Sequence, residues 1–312
     1  MEGIRITNTP YDDVFRTLLN DCSSLILPLI NEMFCEHYSG QEKIIFAPNE
    51  HFLNQQGGNE DERITDTSFK IEGKETKKYH LECQSSTDNS MLVRFFEYDT
   101  QIALDEGEIK DNILTVTLPH SAVLFLRNRA SVPDTLRIRM VTPGGTIEYG
   151  IQVMKSQQYT LEEIFEKNLL LLLPFYIFSH ESHFEEYEKD KTKLKTLQEE
   201  YEQIKNKLED LLNKGTISEY TRCTIIDMSN KVLEHIAARY NSVREGVKAV
   251  MGGKVLEYEA KTIKREGIEQ GEDKLSKLIA KLMENKRSQD VLRVTQDKEY
   301  RNKLYQEYLI DQ

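Results

Sequence analysis

In the stretch "YHLECQS", Tyr79 to Ser85, an acid and an amide, Glu82 and Gln84, stand one residue apart. Strand alternation puts both on one face with His80, while Leu81 and Cys83 point away. Upstream, "RITDTSFKI" reads as a second strand in which Ile64, Asp66 and Ser68 share a face. If the two segments pair across the charged turn "EGKETK", Asp66 approaches Glu82 and Gln84. Carboxylates this close to apolar neighbours cost free energy to desolvate unless something neutralises them. Two carboxylates and the backbone carbonyl of Cys83 are hard oxygen ligands suited to Mg²⁺, with Mn²⁺ a substitute. Such an ion lowers the pKa of a bound water and neutralises charge building on a phosphate. Gln84 would then orient the attacking water. The plainer reading is an ordinary solvated sheet face, because D…ExQ has few fixed positions. His80 could serve in proton transfer or be one more polar residue of that face. Cys83 reads most simply as a small buried residue.

The elements that must position these groups follow from periodicity. Directly after the second strand, "SMLVRFFEYDTQIALDEG" sets Leu92, Phe95, Phe96, Ile102 and Leu104 at helical spacing and carries Arg94 and Tyr98 beside the candidate site. Near the N-terminus, "PYDDVFRTLLNDCSSLILPLINEMF" predicts a helix, a break and a second helix, with Asp12 placed to cap the first. The segment "NEHFLNQQGGNEDE" reads as a polar loop around Gly57 and Gly58. Further strands are expected in "NILTVTLPHSAVLFL", "DTLRIRMV" and "GTIEYGIQVM", the last two joined across Pro143, Gly144 and Gly145. Arg127, Arg129, Arg137 and Arg139 near these strands suggest a phosphate-contacting groove, or simply solvated strand edges.

After His183 the character changes. Residues 184–214 contain neither Pro nor Gly, and Leu194, Leu197, Tyr201, Ile204, Leu208 and Leu211 follow alternating steps of three and four. That spacing fits a coiled-coil-like arm that self-associates, giving a homodimer or higher homo-oligomer, or one amphipathic helix packed on its own domain. The remainder to residue 312 reads as helical. The 312 residues carry a formal charge of −12, which argues against coating nucleic acid nonspecifically but leaves room for a local basic groove. Four scattered cysteines form no CxxC pair, the pattern of a reduced compartment without a zinc motif. The run "LLLLLPFYIF" is too short to cross a bilayer and reads as core. The opening "MEGIRITNTPYDD" lacks the regions of a signal peptide, so a soluble cytoplasmic protein is expected, with no membrane contact.

Taken together and in this order, "YDDVFRTLL", "ITDTSF", "YHLECQSSTDNSMLVRFFEYDTQIAL", "LLLLLPFYIFSHE", "VMGGKVLEYE" and "EGIEQGE" resemble the Rpn family of recombination-promoting nucleases, also labelled transposases. That family belongs to the PD-(D/E)XK nuclease superfamily. The resemblance implies an α/β, restriction-endonuclease-like core, a mixed central sheet flanked by helices, over residues 1–183. The coiled-coil-like arm at 184–214 and a helical region at 215–312 would extend it. It also implies Mg²⁺-dependent DNA cleavage, with DNA as partner and no small-molecule organic cofactor. Asp66 matches the motif aspartate, Glu82 the glutamate, and Gln84 the position usually held by lysine. Asp12 and Arg16 match the polar residues of the family's first-helix D-x-x-F-[KR] segment, where Asp12 helps hold metal or caps the helix. Gln84 departs from the superfamily pattern, removing a positive charge. The alternative is a catalytically weak DNA-binding or protein-interaction module of a mobile element.

Overall fold

The computed structural model describes residues 10–46, 50–54, 60–64, 67–85, 90–127, 132–252, 274–285, 287–296, 298–308 and 310, with the backbone alone at 50–54, 60–64, 288, 292, 296, 298 and 299. The chain divides into two compact units, Met1–Gly253 and Lys254–Gln312.

The first unit is mixed α/β. It opens with α1 (Pro10–Asp21), which buries Tyr11, Val14, Phe15, Leu18 and Leu19 along one stripe, and α2 (Ile26–Phe34). Strands β1 (Lys43–Phe46), β2 (Glu50–Asn54), β3 (Glu60–Ile64), β4 (Thr67–Glu72) and β5 (Thr76–Gln84) follow, then α3 (Met91–Leu104). Next come β6 (Glu108–Lys110), β7 (Ile113–Thr115), β8 (His120–Phe125), β9 (Thr135–Thr142) and β10 (Gly145–Lys155). Six of these form one sheet in the order β1-β4-β5-β8-β10-β9. β1, β4 and β5 are antiparallel neighbours, β5, β8 and β10 are parallel, and β9 returns antiparallel on the edge. A parallel neighbour requires a crossover, and α3 lies within the one that joins β5 to β8.

The two faces of β5 are covered by different helices. Tyr79 packs against Phe34 of α2 with ring centroids 5.2 Å apart, while His80 packs against Phe95 of α3 at 5.0 Å. Around α3, Met91, Phe95, Val123, Phe125 and Ile151 form a buried cluster.

Two readings of the strand region are corrected. "RITDTSFKI" is not one strand, since β3 ends at Ile64 and β4 begins at Thr67, in different sheets. Glu60 to Arg63 are four consecutive charged residues, unsuited to a covered sheet. Thr67, Ser68, Phe69 and Ile71, by contrast, are buried. The supposed polar loop also holds β2, paired with β3 from Glu50↔Ile64 to Asn54↔Glu60. Its turn signal was visible, but cross-strand partners make a strand out of so polar a segment.

Beyond the sheet, α4 (Leu161–Glu166) starts at a capping box in which Thr160 and Glu163 satisfy each other's backbone amides. The leucine-rich run forms a 3₁₀ stretch, Leu170–His183, whose residues Leu170 to Phe175 are all buried. Full burial contributes about 1.5–3 kcal/mol per large apolar side chain. Helices α5 (Phe184–Lys189), α6 (Lys191–Asn213), α7 (Glu219–Ile236) and α8 (Asn241–Met251) complete the unit. Asp190 caps α6 by accepting from the amides of Thr192 and Lys193. Gly215, at φ 70°, ends that helix with its amide donating to Leu212. Leu197, Tyr201, Ile204 and Leu208 of the heptad-like row are buried, and α6 packs against α8, so the row's apolar stripe is covered within the unit.

The second unit holds α9 (residues 274–284), α10 (Ser288–Gln296) and α11 (Lys298–Glu307) around Leu278, Leu282, Val294 and Leu304. Among the described residues no helix is long and apolar enough to cross a membrane.

Candidate functional site

The site is built on the C-terminal half of β5. Its partners set the register: Thr67 lies opposite Leu81 and Ser68 opposite His80 on β4, while Glu82 lies beside Val123 and Gln84 beside Phe125 on β8. Alternation then separates the side chains as expected. His80, Glu82 and Gln84 face α3, and Cys83, 1% exposed, points to the other side.

Glu82 is only 2% exposed, so its carboxylate must be compensated locally. Gln84 Nε2 donates to Oε2 at 3.2 Å, and Arg94 Nη2, from the first turn of α3, approaches the same oxygen at 3.5 Å. On the other side, His80 Nε2 stands 3.8 Å from Oε1. These are long contacts, weaker than well-formed charge-assisted hydrogen bonds.

His80 is itself held from behind. Its Nδ1 is 2.7 Å from Asp99 Oδ1, and both side chains are fully buried. Ser121 Oγ donates to the same oxygen at 2.7 Å, and the Tyr149 hydroxyl donates to Oδ2 at 3.3 Å. As a carboxylate Asp99 only accepts, so it requires His80 to carry a proton on Nδ1 and directs Nε2 at Glu82. Burial, and then the Asp99 charge, push the Tyr149 phenol well above its ordinary value, so it stays a donor. Tyr98 buries its ring edge-on to His80, with centroids 6.0 Å apart.

Asp99, Ser121 and Tyr149 belong to no motif in the sequence. One signal for Asp99 was present: it lies four residues after Phe95 and three before Ile102, an acid on the apolar stripe of a helix. Ser121 and Tyr149 had none, because the sheet register alone brings β8 and β10 beneath α3. The same register puts Gln84, Phe125 and Lys155 in one cross-strand row. Lys155, 7% exposed, holds Asp134 at 2.7 Å.

Asp66 lies outside the described residues, one position before Thr67 in the chain. Asp12 and Arg16 lie half-buried on α1, which packs against β5. Of the arginines proposed for a groove, Arg127 makes a two-pronged pair with Glu181 at 2.6 and 2.8 Å and reaches Ser85 O at 3.4 Å, beside the end of β5. Arg137 and Arg139 both hold the exposed-face Glu148, and Arg129 lies outside the described residues.

Among the described residues no group of three or more His, Cys, Asp or Glu side chains is placed to hold a metal ion. The donors that are present, the Glu82 carboxylate and the Cys83 carbonyl, are of the oxygen type that Mg²⁺ takes. Comparison with family models, with curated proteins and with solved structures finds no match to this chain.

Proposed function

We propose that the chain is a metal-dependent DNA endonuclease that hydrolyses phosphodiester bonds, with a restriction-endonuclease-like core of the PD-(D/E)XK type and the Rpn family as its kin. The observation that carries this reading is the buried Glu82. It sits at the end of a central strand, contacted by an amide and a guanidinium, just where α3 begins. The topology supports it as well: two antiparallel strands lead into β5, and a helical crossover delivers a parallel strand next to it. Its setting is recombination or element mobility.

On this reading Glu82, the Cys83 carbonyl and Asp66 would hold Mg²⁺, and Mn²⁺ would be able to replace it. When bound, the ion activates a water and offsets charge on the phosphate. Gln84 Nε2 and Oε1 can donate to and accept from that water, orienting it toward phosphorus. Arg94, 14% exposed at its side chain, approaches the carboxylate and can turn to a phosphate oxygen. Asp99 fixes the ring of His80, which packs beside Glu82 on the same face of β5.

The test is relaxation of supercoiled plasmid by the wild type, Asp66→Asn and Glu82→Gln, each with Mg²⁺ and with EDTA. Cleavage by the wild type in Mg²⁺ alone, and by neither variant, is the expected result. Cleavage that persists in EDTA, or in both variants, overturns the reading.

A further inference from the structure

The hairpin that follows α3 reverses the usual placement of apolar residues. β6 pairs with β7, and among the described residues with no other strand. Yet Ile109 is 77% exposed, Ile113 65%, Leu114 52% and Val116 43%, and Leu104 at the end of α3 adds 46%. An isolated two-stranded ribbon is marginal in water, an open edge templates further pairing, and apolar side chains grouped on one exposed face, as Ile109 and Leu114 are, mark a contact surface, while Ile113 lies on the other face with Lys110. The base of the hairpin is nonetheless anchored. Glu106 is held by Lys70 at 2.5 Å and Lys78 at 3.0 Å, and the Gly107 amide donates to Leu104.

Backbone geometry identifies the available edge. Asp111 and Asn112, at φ 51° and 61°, make a two-residue turn with both residues left-handed, the type I′ form that matches strand twist. In such a hairpin the residues flanking the turn, Lys110 and Ile113, are the hydrogen-bonded pair. Alternation then turns the N–H and C=O of Ile109 outward, to the open side of β6.

We propose that this edge binds the same edge of a second copy of the chain, β6 antiparallel to β6, with Ile109 on the two-fold axis. The charges on the strand are self-complementary in this register and in no neighbouring one. Glu108 and Lys110 flank Ile109, so the dyad sets each Glu108 opposite the other copy's Lys110, and opposite charges directly across a strand pair attract. Ile109 pairs with itself through its two outward backbone groups. Because the axis is normal to the ribbon, Leu114, Ile109 and their two copies form one continuous apolar row on a single face. β7 offers no equivalent, since pairing about Leu114 would set Ile113 against Thr115. The heptad-like row of α6 is excluded by being covered within its own unit. The contact is isologous, as closed dimers require, and it stands whether or not Glu82 cleaves DNA.

The test is sedimentation velocity of the full chain and of Glu108→Lys, Lys110→Glu and the double swap, with far-ultraviolet circular dichroism to confirm folding. All the altered positions are exposed. The wild type should dimerise at about 100 μM, within reach of a contact of this small size. Each single reversal creates like-charge pairs and should weaken the dimer roughly tenfold or more. The double swap restores both pairs and should return to within about threefold of the wild type. A monomeric wild type at that concentration, a dimer indifferent to the single reversals, or a double swap as weak as the singles would each overturn the proposal.

Discussion

Two neighbouring regions handle polarity in opposite ways. Along β5 and α3, Glu82, His80 and Asp99 are buried, and each charge finds a partner within the layer between sheet and helix. A few residues on, β6 and β7 carry isoleucine and leucine largely into solvent, and no further strand of the described residues pairs with them. Buried carboxylates are tolerated only where hydrogen bonds replace water, so the first region draws its partners from the chain itself. Exposed apolar side chains carry no such demand and become stable on meeting another surface. The difference separates a site that the fold finishes from a surface that the fold leaves to association.

Breaking the first region should have the larger effects. Glu82→Gln and Asp66→Asn should lower Mg²⁺-dependent plasmid cleavage by on the order of 10³-fold or more, the scale of losing a charged group at the reacting centre. Their melting in EDTA should stay near the wild type, which separates lost chemistry from lost folding. Asp99→Ala should be the most costly for stability, about 3–5 kcal/mol in urea unfolding, because His80, Ser121 and Tyr149 lose a common acceptor. A loss under 1 kcal/mol would mean that the buried network contributes little. Asp99→Asn, which keeps an acceptor oxygen, should recover part of it.

Gln84→Ala should reduce single-turnover cleavage by about 10²-fold, as for removal of one positioned polar group. Gln84→Lys should keep or raise activity, since its ammonium can reach the same phosphate oxygens. If Gln84→Ala cleaves like the wild type, the amide is a bystander that merely pairs with Glu82. The smallest effect belongs to the hairpin. Ile109→Ser and Ile113→Ser should change the unfolding free energy of dilute, monomeric protein by no more than about 0.5 kcal/mol, as for other surface substitutions. A large loss would show that the hairpin packs on its own chain, and would erase the contrast between the regions.

Much of this organisation was readable from local pattern. Alternation in "YHLECQS" put His80, Glu82 and Gln84 on one face of a strand. The helix over "MLVRFFEYDTQIAL" and the buried state of the leucine-rich run also followed from the order of apolar residues. Where one residue's neighbour lies far along the chain, pattern was silent. The alternation that made "RITDTSFKI" a single strand took no account of where the partners lie. β2 claims its first half, while β1 and β5, on either side of it in the chain, claim the second.

What the amino-acid order by itself determined was which side of each element is apolar, because side-chain direction repeats with the local period of helix or strand. It marked the row from Leu194 to Leu211 as apolar and Ile109, Ile113 and Leu114 as hydrophobic, without distinguishing their fates. Tertiary structure decided that the first row is covered within its unit while the hairpin stays open, and that Ser121 and Tyr149 converge on Asp99 under α3. These depend on registers between strands separated by tens of residues. No local propensity encodes such pairings, since their free energy arises only when both partners leave water together.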